Sequence, residues 1–131
     1  MRECSFDYAV IRVVPRVERQ EFLNVGVLLS CPEQRFLQSR IELDHGRLKA
    51  FAPWLDISII EEHLDVISVV CEGGAAAGPI GNLPQRARFH WLVAPRSTMI
   101  QVSPFHSGLC QNPQLILDHL FDTLVRLPCA S

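Results

Sequence analysis

Only one lysine, Lys49, stands among the twelve basic residues of this sequence, and no aspartate or glutamate occurs between positions 73 and 117. The lysine scarcity excludes a G-x-x-x-x-G-K-[ST] phosphate loop and leaves Lys49 alone for any amine chemistry. No C-x-x-C pair occurs either: Cys4, Cys31, Cys71, Cys110 and Cys129 are spread singly. Such an odd, scattered set fits reduced and mostly buried thiols better than a disulfide framework. His106 and Cys110 come nearest to a metal-ligand spacing, too isolated a pair for structural zinc, so neither a metal nor another cofactor is expected. No apolar run approaches the ~18 residues of a membrane span. Acids occupy the opening segment 1–7, where a secretion signal would carry its apolar stretch, so a cytoplasmic protein with no membrane contact is expected.

What is present fits a single folded domain spanning residues 1–131. The chain is 48% hydrophobic, enough for one core. Its net charge of −2 makes nucleic acid an unlikely partner for the whole surface. The charge is unevenly distributed. Residues 1–72 hold twelve acids against eight basic residues, whereas 73–117 hold Arg86, Arg88 and Arg96 and nothing to neutralise them. Either that stretch is largely buried, where acids are rare anyway, or it serves an anionic ligand.

Hydrophobic periodicity predicts an α+β fold, a mainly antiparallel sheet of about four strands with helices packed on it. Residues 6–14 are apolar on both alternating faces, the pattern of a central strand, and Pro15 ends it. In the second strand, 22–31, Leu23, Val25, Val27 and Leu29 share one face, while Gly26 suggests a bulge or a close approach. Residues 35–43 alternate cleanly and read as an edge strand forming a hairpin with the second. Asp44 caps a short helical turn, and Asp56 caps the clearest helix, in which Ile57, Ile60, Leu64, Ile67 and Cys71 form one stripe up to Gly73–Gly74. The glycine-rich 73–81 reads as a connector. A short helix follows Pro84, then a fourth strand at 99–102, a loop at 105–111, and a last helix opened by Asn112 and Pro113.

Four constellations bear on chemistry. Arg96, Ser97, Thr98, Gln101, His106 and Ser107, with Ser103 among them, offer the donors a phosphate or carboxylate needs, or else complete their own turns. Cys110, His106 and Asn112 have the composition of a thiol nucleophile with a base, or else Cys110 is a buried thiol at the end of a loop, the favoured reading. Glu18, Glu21, Glu42 and Asp44 lie near strand ends, as metal-dependent nucleases require, but match no motif. His90 and Trp91 beside Arg86 and Arg88 form either a stacking surface or one core-facing side of a helix.

The segments YAVIRVVP (8–15), FLNVGVLL (22–29), AGPIGNLPQRARF (77–89) and FHWLVAPRSTMIQVSPFHSGLC (89–110), in that order, resemble the DUF3037 family of bacterial domains of unknown function. The resemblance implies a partner, a kinase-like protein of the HipA type encoded alongside, and no activity. The expected function is therefore a non-catalytic regulatory or protein-interaction module. The alternative is an enzyme, of hydrolase or nuclease type, acting on a phosphorylated or nucleotide substrate through the Arg96–Cys110 segment.

Overall fold

The computed structural model of the chain describes residues 3–94 and 98–126. The two-sided apolar segment forms β1 (Cys4–Val13), with Ala9, Ile11 and Val13 fully buried. It is interior. On one side it pairs antiparallel with β2 (Leu23–Cys31), and on the other with two short strands, β4 (Ile100–Val102) and β5 (His106–Cys110). The one-sided strand β3 (Phe36–Ile41) pairs only with β2 and forms the opposite edge, as its alternation predicts.

Both faces of the sheet carry helices. Asp44 opens α1 (His45–Phe51), its carboxylate accepting from Arg47 N at 3.1 Å, and Asp56 opens α2 (Ile57–Glu72) by accepting from Ser58 N at 2.9 Å. These bonds satisfy amides that a helix start would otherwise leave unpaired. Ile60, Leu64 and Ile67 of α2 are buried while Glu61, Glu62 and Asp65 are exposed. A 3-10 segment, Ala75–Asn82, leads to α3 (Gln85–Val93), and the two helices close one core over Ile11, Val13 and Leu28. The opposite face is covered by α4 (Pro113–Leu124), whose Leu117 and Phe121 pack on Cys4, Phe6, Val27, Leu29, Cys31 and Cys110.

Two local expectations are corrected. The stretch read as a loop at 105–111 contains β5, which pairs with the first half of β1 from Cys4↔Cys110 to Tyr8↔His106. Its apolar signal is weak because His106, Ser107 and Leu109 are exposed. In β2 the four alternating apolar residues do not share one face. The register passes from Ile11↔Gly26 to Arg12↔Asn24, leaving Val25 as an extra residue. That bulge sends Leu23 and Val25 into the core beneath α2, and Val27 and Leu29 into the core beneath α4. Gly26 beside it is closely approached: a Cβ there would lie 2.8 Å from Arg40 O.

Candidate functional site

β4 and β5 lie end to end along one side of β1, both antiparallel to it, so the chain does not turn back between them. At their junction Ser103 is buried. Its N donates to Val10 O at 2.8 Å, and its Oγ accepts from Val10 N at 2.8 Å. The two strands thus make a single edge interrupted by Ser103, Pro104 and Phe105.

The described residues expected to hold an anion, Thr98, Gln101, His106 and Ser107, are distributed along this edge. Arg96 and Ser97 lie outside the described residues. Thr98 Oγ1 donates to Ile100 O at 2.7 Å and Gln101 Nε2 donates to Thr98 O at 3.0 Å, so these two close the turn into β4 together. His106 sits opposite Tyr8, with ring centroids 5.4 Å apart. Ser107, the next residue, points to the other face of the sheet, where its hydroxyl donates to the Asp7 carboxylate. The structure therefore joins Thr98 to Gln101 and separates His106 from Ser107.

Other candidates have structural work to do. Arg88 places its guanidinium over the end of α2: Nη1 donates to Val70 O at 2.8 Å and Cys71 O at 2.6 Å, and Nε to Leu83 O at 3.1 Å. A helix C-terminus carries partial negative charge, so this arginine is satisfied without a carboxylate. Asn112 caps α4 through Gln114 N and Leu115 N. Desolvation raises the Cys110 thiol above its ordinary value, which disfavours a thiolate nucleophile. Burial likewise pushes Cys31 up to about 11 and Cys71 up to about 12. Glu21 pairs with Arg19, Glu18 with Arg16, Glu42 with Arg126, and Asp44 serves as a cap. No group of three or more His, Cys, Asp or Glu side chains has metal-binding geometry among the described residues.

Beside the β4–β5 edge lies an open cleft of about 590 Å³, lined by His90, Val93 and Ala94 at the end of α3 and by Gln101, Val102, Pro104 and Phe105 of the edge itself. Phe105 is 51% exposed and stands edge-on to buried Phe89, with centroids 6.0 Å apart. Arg86 is exposed one helical turn before His90, on the same side of α3. No carboxylate lines it. A second, more polar cleft of about 550 Å³ runs between β3 and the end of α2, lined in part by Arg35, Gln38, Glu72 and Arg88.

Sequence reasoning identified the acid-free stretch but missed Pro104 and Phe105. An aromatic following a proline in a polar segment was the available signal. Trp91 packs against the core beneath α2, and His90 alone of that pair is exposed.

The fold is thus α+β, a helix-covered antiparallel sheet with β3 at one edge and β4 and β5 at the other. The chain belongs to the family described as protein of unknown function (DUF3037), whose family model matches residues 8–125. No curated protein and no solved structure matches the chain.

Proposed function

We propose that the protein is a non-catalytic interaction module whose partner seats at the β4–β5 edge. The observation that carries this is the open apolar cleft beside a strand edge that has no neighbour among the described residues. Exposed, contiguous apolar surface of that kind marks an interaction site. The engagement of Asn112 and Asp44 as helix caps, the raised Cys110 thiol and the separate ion pairs of Glu18, Glu21 and Glu42 support this reading over a catalytic one. A kinase-type protein resembling HipA, the partner implied by the family resemblance, is the first to test. Mixed in equimolar amounts, the two proteins should co-elute as one complex on size exclusion. Turnover of a nucleotide or phosphorylated substrate that disappears in His106→Ala, with no complex formed, would favour the enzyme reading instead.

A further inference from the structure

A strand at the edge of a sheet presents alternate backbone N–H and C=O groups to the outside. On the β4–β5 side, β5 offers five residues without proline or charge, His106–Cys110, a length of about 17 Å at the rise of an extended chain. Edges of soluble proteins are commonly blunted by lysine or proline; here Pro104 and the irregularity at Ser103 interrupt the edge on the β4 side only. The cleft adjoins the start of β5: its lining includes Pro104 and Phe105, the latter directly before His106, together with Gln101, Val102 and the end of α3. Leu109, 65% exposed, lies further along the same edge.

Charge decides what kind of chain fits. No carboxylate lines the cleft, exposed Arg86 lies one helical turn before its lining residue His90, and no acid occurs from residue 73 to 117. Asp7, one strand inward, is engaged by Ser107. A second copy of this chain, added edge to edge, would set the acid-free cleft and Arg86 against their own counterparts. An acidic segment would be attracted.

We infer that β5 is extended by a strand from a partner protein, an acidic segment of about five residues with a large aliphatic or aromatic side chain that fills the cleft between α3 and Phe105. The inference rests on the interaction reading and names the partner's chemistry. Backbone hydrogen bonds along His106–Cys110 supply sequence-independent affinity, and the acid-free cleft and Arg86 select the segment.

The test uses a fluorescein-labelled peptide of alternating valine and aspartate, its valine–arginine counterpart, and the intact protein at about 0.15 M salt. The acidic peptide should bind more tightly by about tenfold and slow amide hydrogen exchange at 106–110. Phe105→Asp, at an exposed site, should weaken it by about tenfold or more, and Arg86→Glu by about threefold to tenfold. Equal binding of the two peptides, or no binding at millimolar concentration, overturns the proposal. So does a concentration-dependent dimer with exchange protection at 106–110, which would name a second copy as the occupant. A complex with the kinase-type protein that protects some other surface also overturns it, yet leaves the interaction reading standing.

Discussion

At Val10 the ladder between β1 and the outer edge is completed by a side chain, with Ser103 Oγ taking the place of a carbonyl. The hydroxyl's own hydrogen goes to Pro104 O at 3.0 Å, so both its roles are filled. Ser103→Ala would leave the Val10 amide buried without an acceptor, a loss of about 1–3 kcal/mol. Urea denaturation should show it as a lowered midpoint with unchanged slope, and an unchanged midpoint would show that a water or a backbone shift replaces the hydroxyl. In the sequence Ser103 counts as one more donor near an anion site, because a partner 93 residues away leaves no local trace. Arg88 was similarly opaque. Its charge looks unanswered in an acid-free stretch, and its answer is the set of carbonyls ending α2.

Elements with strong periodicity were legible, and those held by pairing alone were not. β1, α2 and α4 each announce themselves by spacing, and their caps, Asp56 and Asn112, lie where side-chain preference puts them. Leu64, 3% exposed at the centre of the α2 stripe, should cost about 2–5 kcal/mol when cut to alanine, and a midpoint equal to wild type would remove α2 from the core account. β5 gives no such signal, since its partner is the distant first half of β1 and one face of it is wet. The glycine-rich connector was legible as a connector, but the reason for its last glycine was not. Gly74 N donates to Gly81 O at 2.9 Å, and a Cβ on Gly81 would stand 1.9 Å from Gly74 O. Gly81→Ala therefore has to open the 3-10 segment between α2 and α3. It should lower the thermal midpoint and speed proteolysis within 73–84, whereas Gly46→Ala, where the nearest atom is 3.5 Å away, should do neither.

Across the whole molecule, three of the five scattered cysteines converge where the sequence shows no pattern, and Cys129 lies outside the described residues. Cys4 and Cys110 face each other across β1 and β5, and Cys31 of β2 joins them beneath α4, while Cys71 is buried on the other side of the sheet. Desolvation is the first cause of the raised values of Cys31, Cys71 and Cys110. A thiol at about 12 is a thiolate in only about one molecule in a hundred thousand at pH 7, so Cys71 should resist alkylation in the folded protein. The same shift makes stability depend on alkaline pH. In the unfolded chain a cysteine loses its proton near 9.0, whereas folded Cys71 keeps it up to about 12. Between those values the unfolded state binds fewer protons than the folded one, so each rise in pH favours unfolding; below about pH 9 both states hold the proton and the thiol adds no slope. Cys31, raised to about 11, acts in the same direction over a narrower window. The urea midpoint should therefore fall between about pH 8 and about pH 10.5. Cys71→Ala should lower stability at both pH values through the space it leaves, yet reduce the fall between them. If that variant shows the full wild-type slope, buried thiol protonation is not what links this fold to alkaline pH.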